Sequence, residues 1–154
     1  MTGVRLIAYR IFVLLLGIWT GSGVYDSLYG HVAWWADPVG WVRTPPVPGA
    51  INPWPFTTGL LLLSVLAMLA LVARRQDERR IALPTLLGVL AILVVTFAYF
   101  VPTLVRLFGG GERLTEAEIT SISQTWIVLN AVRIVVLIGL FYAALVALGR
   151  RPRL

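Results

Sequence analysis

Four side chains near the C-terminus are spaced to share one face of a helix. Ser123, Trp126, Asn130 and Arg133 follow one another at intervals of three, four and three residues, and this spacing places side chains on one face of an α-helix. An amide beside a guanidinium can bind an anion or stabilise an oxyanion. Because the face lies in an apolar run, it indicates either a polar pocket at membrane depth or a buried polar lock that fixes helix register.

Arg133 needs compensation for this position. An arginine at the centre of a membrane-spanning helix costs about 2.5–3.5 kcal/mol on insertion scales. We expect Asn130, one turn away, to accept a hydrogen bond from the guanidinium, and Tyr25, Asp26 or a glutamate of the second outer loop to reach it. Replacing Arg133 with leucine separates the alternatives, because a site loses activity while a lock loses stability.

His31 is a second candidate for chemistry, and it is the chain's only histidine. It follows Tyr25 and Asp26 closely, so it can act as an acid or base, or as a lone metal ligand. The alternative is a structural hydrogen bond in the headgroup layer. One histidine and no cysteine exclude a self-contained bis-histidine haem site, a thiolate metal site and a dithiol relay. The sequence therefore predicts no metal site and identifies no cofactor.

The elements that carry these residues are strongly apolar. Of 154 residues, 58% are hydrophobic and 13% are charged, whereas a soluble domain carries charge on about a quarter of its positions. This composition excludes an ordinary soluble globule and predicts a protein of the lipid bilayer. The net charge of +6 lies in short clusters beside apolar runs, a pattern that does not favour nucleic acid as a partner.

Four apolar stretches are long enough to cross a hydrocarbon layer of about 30 Å. They cover residues 6–24, 56–73, 81–101 and 125–148, with Pro102 closing the third. The sequence thus predicts a single all-α domain, residues 1–154, that forms an integral membrane four-helix bundle with long outer loops.

Local signals mark two further helix starts. The capping-box pattern Thr115-x-x-Glu118 predicts that the last helix begins well before its span and reaches Leu148. Asp37 before Pro38 predicts a short helix in the first outer loop. The tryptophans of that loop are typical of the membrane interface, so we interpret the loop as an interfacial anchor, with a pocket lid as the alternative.

Gly17 and Gly21 form a Gly-x-x-x-Gly step in the first span. Small residues at this spacing let two helices approach closely in a membrane. We interpret the step as packing within the molecule, and a dimerisation face is the alternative.

Arginine supplies every basic side chain, and its distribution predicts the orientation. If the spans alternate, nine arginines fall on one side and three on the other. The nine are Arg5, Arg10, Arg74, Arg75, Arg79, Arg80, Arg150, Arg151 and Arg153. This predicts a multi-pass plasma-membrane protein, from a bacterium, with both termini in the cytoplasm. A cleaved signal peptide in place of the first span is the alternative.

The pattern Trp126-x-x-x-Asn130-x-x-Arg133 follows an aromatic third-span end with Pro102 and a helical outer segment. In this last third, the chain resembles a group of small four-span membrane proteins related to fungal anthrone oxygenases. The resemblance implies a four-helix bundle and a cofactorless oxidation of an aromatic substrate, with Trp126, Asn130 and Arg133 near the site.

Two functions remain open from the sequence. The first is a small binding or accessory subunit that packs against a membrane-protein partner or a second copy of itself. The second is a membrane-embedded oxidoreductase or monooxygenase-like enzyme that acts on a lipophilic substrate in an outer-leaflet pocket. That pocket is predicted to comprise Arg133, Asn130, Trp126, Asp26, His31 and Tyr25. No span carries an internal carboxylate, so a proton-coupled transporter is not favoured.

Overall fold

The computed structural model describes residues 3–44, 54–72, 76–110 and 113–149, without the side chains of residues 54, 55, 72 and 76–81. All the regular structure in these ranges is helical, which confirms the all-α prediction. The elements are α1 (Gly3–Leu28), α2 (Gly30–Ala36), α3 (Pro38–Arg43), α4 (Trp54–Val72), α5 (Gln76–Val95), a π-helical turn (Thr96–Phe100), α6 (Val101–Gly110) and α7 (Glu116–Gly149). Of the arginines used to predict orientation, Arg74, Arg75, Arg150, Arg151 and Arg153 lie outside the described residues.

Three helical stretches are long and apolar enough to cross a membrane. They cover Gly3–Ala36, Ala82–Gly110 and Glu116–Gly149. The apolar stretch of α4 is shorter, Phe56–Leu71, although the whole helix has 19 residues and therefore a length of about 28 Å. The chain is a membrane protein built as a bundle of helices, as its composition predicts.

The main core lies between α1, α4, α5 and α7. In the bundle α1 packs against α4 and α7, and α5 packs against the same two helices. Trp19, Leu61, Leu86 and Leu137 are all buried in this core. Many outward side chains are also apolar, because the surrounding medium is hydrocarbon rather than water.

Glycines allow α7 to approach its neighbours closely. A Cβ at Gly88 would lie 2.6 Å from a Leu140 methyl group, and a Cβ at Gly17 would lie 3.0 Å from the Phe141 ring. A Cβ at Gly21 would have no atom within 4 Å. The first half of the Gly-x-x-x-Gly step therefore packs within the molecule, while Gly21 lies on the exposed surface.

The helix of the third span continues past Pro102, where the sequence predicted its end. The helix continues through the π-helical turn into α6 and ends at Gly110. Pro102 is the second residue of α6, directly after the widened turn. A wide turn before a proline leaves room for its ring and lowers the cost of its missing N–H, so the chain stays helical.

A second, smaller core forms at one end of the bundle. We call this end the cap; it consists of α2, α3, α6 and the first turns of α7. Its buried side chains include Trp34, Val42, Leu107 and Ile119. The cap is formed by the segments that the sequence predicted to be long outer loops. In the described ranges these segments are mostly helical.

Both predicted helix starts in the cap are confirmed. Asp37 Oδ1 accepts a hydrogen bond from Gly40 N at 2.9 Å and begins α3. Glu118 Oε2 accepts from Thr115 N at 2.9 Å, and Thr115 Oγ1 accepts from Glu118 N at 3.3 Å. This capping box starts the 34-residue α7, whose length of about 51 Å exceeds the hydrocarbon thickness.

Candidate functional site

A cavity of about 370 Å³ lies between the main core and the cap. Helix α7 contributes Trp126, Asn130 and Arg133 to its wall, α1 contributes Asp26, and α2 contributes His31. Five of the six residues predicted to form a polar pocket therefore line one cavity. The sixth, Tyr25, does not: its side chain is 65% exposed and lies against the ring of Tyr29.

Further helices complete the wall of the cavity. Thr58 and Gly59 come from α4. The π-helical turn and α6 contribute a mostly apolar surface, which consists of Thr96, Phe97, Phe100, Val101, Leu104 and Val105. Most of the wall is apolar, and two polar contacts lie in it, Arg133 with Thr96 and Asn130 with His31. Pockets for small lipophilic molecules commonly have this composition.

The Arg133 guanidinium is buried against a hydroxyl and two aromatic rings. Its residue is 8% exposed, and Nη1 donates a hydrogen bond to Thr96 Oγ1 at 3.1 Å. Its Cζ lies 4.4 Å from the centre of the Phe100 ring and 5.6 Å from that of Trp19. Arg133 Nε is buried without a hydrogen-bond partner among the described residues.

The expected partners of Arg133 were therefore partly wrong. Thr96 accepts the hydrogen bond that we expected Asn130 to accept, because the guanidinium reaches across to the π-helical turn while the Asn130 amide faces His31. The exposed Tyr25 does not reach the cavity. Asp26 does line it, and is half-buried there.

The π-helical turn holds two side chains of α7 in position by hydrogen bonds. Thr96 Oγ1 donates to Ile92 O at 2.7 Å, which leaves its lone pairs free to accept from Arg133. At the other end of the turn, the Phe100 carbonyl accepts a hydrogen bond from Trp126 Nε1 at 3.2 Å. The turn thus holds the Arg133 guanidinium and the Trp126 indole of the polar face of α7. π-Helical turns often occur at functional sites.

Asn130 and His31 form the second polar contact of the cavity. Asn130 Nδ2 lies 3.4 Å from His31 Nδ1, and Asn130 is 1% exposed. The donor in this pair depends on the histidine tautomer and the amide orientation. If His31 Nδ1 carries the proton and donates to the amide oxygen, Nε2 keeps its lone pair and can act as a base.

An aromatic cluster supports His31. Its ring lies 5.3 Å from Trp126 in an edge-on arrangement and 6.2 Å from Trp34. Trp126 also contacts Phe100, with ring centres 5.5 Å apart. These contacts fix the histidine at the boundary between the cavity and the cap. In the described ranges, no three His, Asp or Glu side chains are grouped so that they could hold a metal ion.

Sequence reasoning missed the hydroxyl groups of the site. Thr96 holds Arg133, and Thr58 Oγ1 accepts a hydrogen bond from Trp19 Nε1 at 3.0 Å. Both threonines are polar residues in apolar helices, and this was the available signal. Their partners lie on other helices, so the sequence spacing alone did not identify them.

Comparison with known proteins places the chain in a family. The family model described as anthrone oxygenase matches residues 54–143, which is more than half of the chain and extends well beyond its last third. No curated protein and no solved structure matches the chain. The matched segment runs from α4 into α7 and carries Thr96, Phe100, Trp126, Asn130 and Arg133; Asp26 and His31 precede it. The chain belongs to the anthrone oxygenase family.

Proposed function

We propose that this protein is a membrane enzyme that oxidises a lipophilic aromatic substrate, which it holds as an anion against Arg133. The observation that carries this proposal is a buried guanidinium in the wall of a largely apolar cavity, with an Nε that has no hydrogen-bond partner in the described part of the chain. The residues around the cation lie in the segment that matches the anthrone oxygenase family.

The cavity supports a substrate with flat rings and one acidic oxygen. Its volume of about 370 Å³ lies near the lower end of the range for small-molecule sites, about 300–1,000 Å³. Phe100 and Trp126 offer ring faces and edges to an aromatic molecule. A desolvated cation gains strongly from an anionic partner, so an enolate or phenolate oxygen suits Arg133 better than a neutral group does.

An anthrone meets these requirements, and its oxidation balances with molecular oxygen alone. Loss of a proton from the methylene carbon of the central ring gives an anion whose charge rests largely on the ketone oxygen. Molecular oxygen then adds at that carbon, and return of the abstracted proton to the resulting peroxide anion gives a hydroperoxide. Loss of one water molecule leaves a second carbonyl group, so one O₂ is consumed and one H₂O is released for each quinone formed.

Each side chain of the cavity has a separate role in this reaction. Arg133 stabilises the oxyanion as the proton leaves, which lowers the barrier to the step that generates the reactive carbon. His31 takes the proton on Nε2 in the tautomer whose Nδ1–H donates to the amide oxygen of Asn130, with the Asn130 amide turned so that this oxygen faces the ring. Phe100 and Trp126 hold the rings, and the cap excludes bulk water from the anion.

The same proposal includes the arrangement in the membrane. Four spans, near residues 6–24, 56–73, 81–101 and 125–148, cross the plasma membrane of a bacterium with both termini in the cytoplasm. The cap then lies at the outer face. The arginine distribution and the capped end of the bundle support this orientation.

Reconstituted protein tests the proposal. Wild-type protein in lipid nanodiscs should convert anthrone to anthraquinone, with one O₂ consumed for each quinone. Arg133→Leu should lower kcat by about 10²–10³-fold, as loss of an oxyanion-stabilising donor does, while Arg133→Lys should retain part of the rate. Arg10→Leu, an exposed arginine on α1, is the matched control and should leave the rate unchanged.

The result for Arg133→Leu also separates a site from a structural lock. A site predicts that the variant keeps its expression level and thermal stability while turnover is lost. An Arg133→Leu variant that unfolds or fails to accumulate, together with an Arg133→Gln variant that folds and keeps full turnover, would show that the side chain fixes the helices and that no anion needs its charge.

The second candidate function is a small binding or accessory subunit. The observation that favours it is the small proton-transfer set among the described cavity residues, which consists of His31 and Asp26. This function predicts that the purified protein binds aromatic molecules without turnover and elutes with a larger membrane protein.

A further inference from the structure

The exposed residues of the cavity wall share one face of one helix. Phe97, Val101 and Val105 line the cavity and are 51%, 40% and 65% exposed. They lie four residues apart along the π-helical turn and α6, so they form a continuous apolar strip. The cavity therefore opens along this strip, whose side chains cannot form hydrogen bonds with water.

The strip begins at membrane depth and runs toward the outer boundary of the third span. It begins in the middle of the apolar stretch Ala82–Gly110. Phe97 is about 22 Å from Ala82 and about 20 Å from Gly110 at 1.5 Å per residue. Exposed apolar side chains in the middle of such a stretch contact acyl chains. The end of the bundle is covered by the packed cap, with Trp34 and Leu107 buried inside it.

We infer that the substrate enters this cavity sideways from the lipid, through a portal formed by Phe97, Val101 and Val105 together with Gly59 of α4. Gly59 is half-buried in the cavity wall, and a Cβ built on it meets no atom of the described residues within 4 Å. In the described part of the chain, the portal thus has open space beside this glycine.

This inference rests on the proposed function and narrows its substrate class. An anion does not cross acyl chains readily, because charge at membrane depth is costly. The substrate must therefore partition into the bilayer and enter in its neutral, protonated form. Deprotonation follows inside, where Arg133 and His31 lie. A soluble, permanently charged aromatic acid does not satisfy this route.

A plug at the portal tests the route. Gly59→Phe fills the opening, and Gly139→Phe is the matched control, since Gly139 is an exposed glycine of α7 that does not line the cavity and also has no atom within 4 Å of a built Cβ. With anthrone in nanodiscs, Gly59→Phe should lower kcat/KM by about tenfold or more with a smaller change in kcat. An unchanged kcat/KM in a folded Gly59→Phe protein would overturn the portal.

A second measurement needs no turnover. The chain contains no cysteine, so single cysteines can carry a nitroxide spin label. Labels at Phe97 and Val101, like a label at the exposed Val94 of the same helix, should collide with O₂ but not with a water-soluble nickel complex. Thr44, exposed beyond the cap, is the water-facing reference. Access of nickel to Val101 at the level seen for Thr44 would overturn the inference.

The two measurements distinguish a failure of the proposed function from a failure of the portal. If the wild type does not oxidise anthrone, the proposed function fails, and the spin labels alone decide whether the opening faces lipid. If the wild type is active but the plug and the labels contradict the portal, the enzyme assignment stands and the substrate takes another route.

Discussion

Arg133 is satisfied in part, and this partial satisfaction makes it a candidate binding group. A cation over an aromatic ring gains about 2 kcal/mol when desolvated, and the bond to Thr96 adds about 0.6 kcal/mol on the average measured within a membrane. Together these offset most of the insertion cost of about 2.5–3.5 kcal/mol. The arginine is thus tolerated without a ligand, while its Nε remains available to one.

Removal of the Thr96 hydroxyl tests this arrangement at the scale of a single residue. Thr96→Val keeps the shape of the side chain but removes the acceptor for Arg133 Nη1. We expect a loss of about 0.5–1.5 kcal/mol in stability and a lower kcat/KM, because the guanidinium is no longer held in place. Thermal unfolding and turnover in nanodiscs measure the two effects.

Thr103→Val is the matched control for that substitution. Thr103 Oγ1 also donates to a carbonyl one turn back, Tyr99 O at 2.7 Å, but Thr103 does not line the cavity. Equal losses of kcat/KM in the two variants would show that Thr96 has no special role toward Arg133.

At the scale of elements, the sequence correctly predicted the features that depend on a single helix. The face of α7 from Ser123 to Arg133 is buried, because helical spacing alone decides which residues share a face. The capping box at Thr115 is confirmed for the same reason. The π-helical turn and the bond from Arg133 to Thr96 were not predicted, since they depend on how a second helix bends and packs.

The Gly-x-x-x-Gly step gives a prediction at this scale. Gly17→Leu should destabilise the bundle by about 1–3 kcal/mol, as overpacking does, because a Cβ at this position already lies 3.0 Å from the Phe141 ring. Gly21→Leu should leave stability nearly unchanged, since its Cβ meets no atom. Thermal unfolding in detergent compares the two, and a change of oligomeric state in Gly21→Leu would instead reveal a dimer face.

The whole molecule combines a segment that matches the family model with helices that precede this segment. Residues 54–143 match the anthrone oxygenase family and carry the cation. Helices α1 to α3 precede that segment and bring Asp26, His31 and part of the cap to the same cavity. The membrane class and the helical fold followed from composition. The extent of the cavity did not, because the cavity requires several helices and the cap to meet.

Orientation is tested on the whole molecule by labelling single cysteines. A cysteine at Thr44 should react with a membrane-impermeant maleimide on intact cells. A cysteine at Gly149 should react only after the membrane is permeabilised. Both positions are exposed in the fold, so accessibility reports the side of the membrane. The reverse pattern would contradict the orientation derived from the arginines.

The most direct test of the central claim is an experimental structure of the protein in nanodiscs with a hydroxyanthraquinone bound. We expect the rings to lie in the cavity against Phe100 and Trp126, with an ionised oxygen within hydrogen-bond distance of the Arg133 guanidinium. A ligand bound elsewhere, or one in the cavity with its oxygens turned away from Arg133, would contradict the claim.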